Sequence, residues 1–277
     1  MLRLLNIEFQ KLKYNKAAKV IVITYFVLIT FIALIASIEF NFAGVHFRIA
    51  DQGIFNFPYI WHFNTYIAAW AKLFLAIVIV SMMANEYSHR TLKQNLIDGL
   101  SKKEFILSKF LTVVSFALIS TLFVFVVSMI LGLFYSDFNE LSIIFSDLEF
   151  LLAFFVKLMG FFAFCLFLGI FVKRSAFALG FLILWQIFEG FVRGMIRWKL
   201  FDNETTDVVM GFFPLNSMWN LIDEPFSRLG AVQSLGDQIG EDFRFDYAVH
   251  WYEVLIVLAW TAIFVYLSFA LLKKRDL

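Results

Sequence analysis

Apolar blocks of about twenty residues recur along this chain, and they limit the folds that are open to it. A helix of about 20 residues crosses the roughly 30 Å of hydrocarbon in a bilayer. Backbone polar groups in lipid must bond within their own segment, so each block is expected to be a helix. Apolar residues make up 61% of the 277 residues and charged residues only 16%, against roughly half and a quarter in soluble domains. The chain is therefore predicted to be an all-α polytopic membrane protein, with one transmembrane domain over 1–277.

The blocks and the loops between them predict six membrane spans. These are 17–38, 65–84, 110–134, 150–172, 176–196 and 251–272. The three prolines, Pro58, Pro214 and Pro225, fall between the spans. A proline inside a helix removes a hydrogen bond and kinks the helix, so their placement predicts that each span is unbroken. The long loop 197–250 has short apolar stretches interrupted by Pro, Gly and Asn, which predict short re-entrant helices.

Lysine and arginine are concentrated on one side of the predicted spans. With the N-terminus inside, the inner segments hold 15 of the 23 basic residues. The positive-inside rule then places both termini in the cytoplasm. Within residues 1–16 the apolar side chains recur at helical spacing beside basic ones: Leu2, Leu5, Phe9 and Leu12. This pattern predicts an amphipathic helix that lies in the membrane interface.

A charged segment between spans 2 and 3, residues 85–109, is named here the basic hairpin. Leucines recur every four residues in its first half: Leu92, Leu96 and Leu100. Asp98-Gly99 is typical of a helix end, and Ser101 with Glu104 forms a capping box that begins a second helix. A helical element held against the membrane suits contact with a soluble partner. The alternative is an ordinary basic loop.

Polar residues inside the spans are costly in a bilayer and need an explanation. They are Lys72, Lys157, Gln186, Glu189 and Arg193. At about 1.5 Å per residue, the two lysines and the glutamate lie at similar heights, roughly 20 to 24 Å from the inner face. The hypothesis is that Glu189 pairs with Lys157, Lys72 or Arg193. Such a layer either lines a substrate path or fixes helix packing, and both readings stay open.

Several chemistries lack their sequence motifs in this chain. There is no GxxxxGK[ST] phosphate loop, no HExxH metal motif and no GxSxG nucleophile elbow. The single cysteine, Cys165, rules out a disulfide framework. The basic residues follow the inner membrane face and form no patch that fits a nucleic-acid groove. The chain is therefore expected to have no enzymatic activity, no metal site and no nucleic-acid partner.

The chain resembles the membrane subunit, or permease, of type-2 ABC transporters. That family has an amphipathic N-terminal helix, six spans, a coupling helix between spans 2 and 3, and re-entrant helices between spans 5 and 6. The local motif is a glutamate soon after span 2, a Thr-Leu pair five residues on and a lysine at the start of span 3. It appears here as Glu86, Thr91-Leu92 and Lys109. The family often has a proline in the turn, where this chain has Asp98-Gly99.

The resemblance implies one half of an ATP-driven exporter in a bacterial cytoplasmic (inner) membrane. Two permease chains, identical or paralogous, would face each other in the bilayer, with a P-loop ABC ATPase subunit under each. ATP and Mg would bind to the ATPase subunits, and this chain would hold no cofactor. The basic hairpin would transmit their motion through six residues: Glu86, Arg90, Thr91, Lys93, Asp98 and Lys102.

Three other classes of protein remain as alternatives. Transporters driven by an ion gradient often have inverted repeats and broken midplane helices, and the sequence predicts neither. A membrane-embedded enzyme is disfavoured because the chain lacks an acid/base or metal cluster. A structural membrane subunit without transport activity is compatible with the sequence.

Overall fold

The computed structural model describes residues 2–35, 38–42, 45–48, 52–199, 202–229, 232–234, 238 and 246–275. The helices before the basic hairpin are α1 (Leu2–Tyr14), α2 (Lys16–Ile35), α3 (Tyr59–Trp70) and α4 (Lys72–Ser88). The hairpin and the following spans form α5 (Thr91–Ile97), α6 (Lys102–Tyr135), α7 (Leu141–Ile144), α8 (Glu149–Val172) and α9 (Ser175–Lys199). The last helices are α10 (Asn203–Met210), α11 (Pro214–Asn220) and α12 (Trp251–Lys274). These bounds confirm an all-α membrane protein with two short helices between spans 5 and 6.

A small β-hairpin in the first outer loop is an addition that the sequence did not predict. Strand β1 (Glu39–Phe42) pairs antiparallel with β2 (Val45–Arg48), with Glu39 opposite Arg48 and Phe42 opposite Val45. It lies between α2 and α3, so it leaves the helical core unchanged.

Among the described residues, four helices are long and apolar enough to cross a bilayer, and the number is six if each of two bent helix pairs is counted as one span. The first pair, α1 and α2, meets at 92°. With α2 crossing the bilayer, α1 therefore lies close to the membrane plane, as its amphipathic pattern predicts. The chain is thus a multi-pass membrane protein.

The second predicted span is not an unbroken helix, and this prediction is wrong. Helix α3 begins at Tyr59, six residues before the predicted start, and meets α4 at 45° across Ala71. At the bend the amide of Ala71 donates to the carbonyl of Ala68, and that of Phe74 donates to Ala71. These shorter-range bonds turn the chain without a proline.

Helix α8 lies at the centre of the bundle and packs against α3, α4, α6, α9 and α12. Most of its side chains are buried, from Phe150 near its start to Ile170 near its end. Two of its glycines allow close helix contact. A Cβ on Gly160 would lie 2.8 Å from Val257 Cγ1 in α12, and one on Gly169 would lie 2.9 Å from Met83 Cβ in α4.

Replacing Gly169 with alanine is expected to destabilise the fold by about 1–3 kcal/mol, because the added methyl forces α8 away from α4. Met83 Cβ is next to its own backbone and cannot swing aside. Thermal unfolding in detergent measures the loss. Gly180→Ala is the matched control, since a Cβ there meets nothing within 4 Å. An equal loss in both variants would contradict close packing as the cause.

The bundle has a basic end, defined by α1, the basic hairpin, the turn at Lys173 and Arg174, and the terminal Lys273–Arg275. Helix α8 ends at Val172 and α9 begins at Ser175, which matches the tight turn between spans 4 and 5. Helix α11 lies toward the opposite end, where Trp219 contacts Trp70 in the first half of span 2, and α10 packs against α9. Of loop 197–250, residues 200–201, 230–231, 235–237 and 239–245 lie outside the described residues.

Candidate functional site

The basic hairpin has the helix, turn and helix that its sequence predicts. Helix α5 ends at Ile97, Asp98 caps it and Gly99 follows with φ of 97°. Ser101 then begins α6 with a complete capping box: its hydroxyl accepts from the amide of Glu104, whose carboxylate accepts from the amide of Ser101. Since α6 continues without a break to Tyr135, the hairpin is rigidly joined to span 3.

One face of α5 packs onto the bundle and the other faces outward. Leu92 is 2% exposed, and Leu96 and Leu100 pack against the same core. The outward face holds charged and apolar side chains: Arg90, Lys93, Gln94, Ile97 and Asp98. Ile97 is 69% exposed although it is fully apolar. A short helix anchored on one side presents its outer face for contact with another protein.

A buried ion cluster of Glu8, Lys11, Glu86 and Lys109 lies beneath this helix. The Lys109 ammonium has no exposed side-chain surface, and it donates to Glu8 Oε2 and Glu86 Oε1, both at 2.6 Å. Lys11 closes the cluster at 2.8 Å from Glu86 Oε1 and 3.3 Å from Glu8 Oε1. Two carboxylates and two ammonium groups alternate, so each buried charge has opposite partners.

The other oxygen of Glu86 fixes the start of α5. Glu86 Oε2 accepts a 2.5 Å hydrogen bond from the Thr91 hydroxyl, at the first residue of α5. Arg90, between them, has a positive φ of 56°, which makes the sharp turn between α4 and α5. The three motif residues Glu86, Thr91 and Lys109 therefore form one network that joins spans 2 and 3 to α5.

Glu8 is a part of this network that sequence reasoning missed. It is an acid in a basic amphipathic helix, and it falls on the same face as Leu5 and Leu12. A single acid on an apolar helix face signals a buried partner of opposite charge. Through Glu8 and Lys11, the N-terminal helix α1 is attached directly to α4 and α6.

A second set of contacts ties the end of the chain to the hairpin. Arg275 donates to the carbonyls of Ile170 and Phe171 at 2.6 and 3.2 Å, and to the Tyr87 hydroxyl at 2.9 Å. These carbonyls belong to the last turn of α8, where helical partners are missing. The Lys102 ammonium donates in turn to the carbonyl of Arg275 at 2.9 Å. Lys102 is thus held inward, whereas Arg90, Lys93 and Asp98 face outward.

The predicted pairing of Glu189 with a lysine or arginine is wrong. Its carboxylate instead accepts from the backbone amides of Leu215 and Asn216 at 3.0 and 2.8 Å, and from the Trp185 indole at 2.7 Å. These amides open α11, whose N-cap residue Phe213 supplies no side-chain acceptor. Equal height did not bring the charges together, because unpaired amides in the membrane are strong competitors for a carboxylate.

The four remaining polar residues of the predicted layer lie in four different settings. The Lys157 ammonium donates to the carbonyl of Trp219 at 3.1 Å, at the other end of α11. Lys72 lies over the Phe161 and Trp219 rings, 4.6 and 5.4 Å from their centroids. Arg193 pairs at 2.5 Å with Asp207 in α10, in an exposed position. Gln186 is exposed on α9, one turn before Glu189.

Glu189→Gln is expected to destabilise the fold by about 1–3 kcal/mol, because the new amide group points a donor at donors on α11. The segment around α11 should also become more sensitive to limited proteolysis. Both effects can be measured on the protein in detergent. Arg193→Ala is the control on the same helix, since an exposed ion pair contributes at most about 1 kcal/mol. Unchanged stability and proteolysis in Glu189→Gln would contradict its role as a cap.

Within the described part of the chain, no group of three or more His, Cys, Asp or Glu side chains is placed to hold a metal ion. The polar contacts described above join helices to one another. At the basic end these contacts join α1, α4, α5 and α6, and toward the other end they join α8 and α9 to α11.

The chain is similar to a known protein family. The family described as ABC-2 family transporter protein matches residues 3–277, nearly the whole chain. No curated protein matches the sequence.

Proposed function

The chain belongs to the ABC-2 family of transporter proteins, and from this membership we propose that it is the permease subunit of an ATP-driven exporter. Two permease chains form the translocation path between them, and each binds a separate P-loop ABC ATPase subunit. ATP and Mg bind to the ATPase, since this chain has no phosphate-loop motif. The protein lies in the bacterial cytoplasmic membrane with both termini in the cytoplasm.

The observation that carries the proposal is the buried ion cluster beneath an outward-facing α5. A force on α5 passes through Thr91 and Glu86 to span 2, through Lys109 to span 3 and through Glu8 to the N-terminal helix. Because Lys109, Glu8 and Glu86 have almost no exposed side-chain surface, the ion pairs that Lys109 makes are weakly screened by salt. An element attached in this way moves the spans when a partner moves it.

The six predicted coupling residues then divide into two groups by their contacts. Glu86, Thr91 and Lys102 hold the hairpin to the bundle. Arg90, Lys93 and Asp98 face outward and are the groups that contact the ATPase. Ile97 joins this second group, because it is the large apolar side chain at the tip of α5.

One observation favours a second candidate, a transporter driven by an ion gradient. The bend at Ala71 breaks span 2 directly beside the intramembrane Lys72, and broken helices near charged residues occur in such transporters. The bend does not explain α5 or the buried ion cluster beneath it. The proposed permease function accounts for α5 and the ion cluster at the end of span 2.

A pull-down with ATPase measurement tests the proposal. The tagged chain is extracted from its native host in mild detergent, and the proteins bound to it are identified by mass spectrometry. We expect to recover a P-loop ATPase whose activity depends on the presence of the chain. The ATPase should no longer be recovered when residues 85–109 are replaced by a neutral linker. Recovery of folded chain without a nucleotide-binding subunit would contradict ATP-driven export and favour the gradient-driven alternative.

A further inference from the structure

Lys72 is a buried cation whose counter-charge is missing from the described residues. Its side chain is 8% exposed, and it has no hydrogen-bond or ion-pair partner among the described side chains and backbone groups. Its contacts are the faces of Phe161 and Trp219. A cation over aromatic rings gains about 2 kcal/mol when it is desolvated, whereas an unpaired buried charge costs several. The site is therefore electrostatically incomplete.

Neighbouring groups add to the positive charge at this site. Lys157 approaches the same indole, with its ammonium 5.5 Å from the Trp219 centroid. Lys72 is also the first residue of α4, where the helix dipole is positive and disfavours a cation. Glu189 is occupied by α11 and Trp185, and the Asp223 carboxylate acts on Lys157. Two lysines and a helix start thus favour an anion at this position.

Lys72 lines a groove between span 2 and span 5. The groove has a volume of about 390 Å³, and its floor is buried: Ala69, Lys72, Phe161, Leu182 and Leu215. Its rim is exposed and apolar, with Trp70 and Leu73 on one side and Ile183 and Ile187 on the other. Gln186, which is exposed, adds a polar side chain to the lining. The opening is on the lateral surface of the bundle, and its exposed apolar rim suits contact with hydrocarbon.

We propose that this groove binds an anionic amphiphile that enters from the bilayer, with its carboxylate or phosphate head on Lys72 and its tail along the apolar rim. A water-soluble anion would have to cross lipid to reach an opening at this height, roughly 10 Å below the outer interface. A neutral lipid would leave Lys72 unpaired. As the entry site for exported cargo the groove rests on the proposed function, but binding itself requires neither ATP nor an ATPase.

Photo-crosslinking in phosphatidylcholine nanodiscs tests the proposal. The probe is hexadecanoic acid with a diazirine in mid-chain, and the comparator is the same chain as an alcohol. Mass spectrometry should locate the acid probe on peptides from the rim, at 70–73 or 183–187, with about tenfold or greater preference over the alcohol. Lys72→Met should reduce this preference to near one, and Lys72→Arg should keep it. Lys19→Met, at an exposed lysine on α2, should leave it unchanged.

A stability measurement keeps the test independent of the crosslinker. Lys72→Met removes an unpaired charge, so its melting temperature without probe should not fall, and the rise that hexadecyl phosphate gives the unchanged protein should be lost. Competition by phosphatidylglycerol would assign the site to a bilayer phospholipid, and its absence to a single-tailed amphiphile; both support the proposal. The proposal would be overturned by equal labelling with acid and alcohol, or by labelling that Lys72→Met leaves unaffected. It would also be overturned if a second copy of the chain closed the groove to both probes. Export assays with the ATPase then separate failure of binding from failure of transport.

Discussion

Lys109→Met is expected to lower the free energy of unfolding by about 3–5 kcal/mol, the largest stability loss among the substitutions considered. Lys109 has no exposed side-chain surface and lies 2.6 Å from two carboxylates on different helices. Without it, Glu8 and Glu86 stay buried and share only Lys11, which is partly exposed. Removing one member of a buried ion network costs this much because the opposite charges remain desolvated. Thermal unfolding or the folded fraction after detergent extraction measures the effect.

Two controls separate the ion network from general damage to α6. Lys103→Met changes an exposed lysine one turn and a half earlier on the same helix, and should shift stability by less than about 0.5 kcal/mol. Adding Glu8→Gln to Lys109→Met removes one stranded carboxylate and should recover part of the loss. Strict additivity of the two substitutions would contradict a direct interaction between these side chains.

Ile97→Glu is expected to weaken binding of the ATPase subunit by at least about tenfold while leaving the fold intact. Ile97 is 69% exposed at the tip of α5 and contributes little to the core. In the proposed complex it is the apolar anchor, and truncated or charged anchors cost about 2 kcal/mol or more. Co-purification with the ATPase, followed by titration of its activity with the reconstituted permease, measures the loss.

The control for Ile97→Glu is a substitution at another exposed residue of the basic end. Lys13→Glu, on the exposed side of α1, introduces the same carboxylate outside the basic hairpin and should leave ATPase binding within about threefold. Full binding by Ile97→Glu would remove α5 from the interface. It would leave the family membership unaffected.

Local rules on the basic hairpin were accurate because the interactions involved are close in sequence. The capping box at Ser101 and Glu104, the end of α5 at Asp98-Gly99 and the four-residue leucine spacing all depend on neighbours within one or two turns. The motif of Glu86, Thr91 and Lys109 also formed as one contact network. Its partner Glu8 is 101 residues from Lys109, and no local rule reaches that far.

The errors came from quantities that a sequence pattern does not contain. Height along a helix located Glu189 and Lys157 at one level, but rotation about each axis and the position of α11 decided their partners. The absence of proline predicted an unbroken span 2, but shorter-range backbone hydrogen bonds at Ala71 accompany a bend of 45° between α3 and α4. Both outcomes depend on how distant helices fill the bilayer.

The central position of α8 also sets an order in which the chain can assemble. A membrane protein is inserted from its N-terminus, so α8 meets α4 and α6 while α12 is still being synthesised. Until then, the side of α8 that carries Gly160 is in contact with lipid instead of Val257. Helices that are separately stable in lipid associate by packing, as in two-stage folding. The last helix therefore displaces lipid from a bundle whose other helices are already packed. Arg275 can bind the carbonyls of Ile170 and Phe171 only once that step is complete.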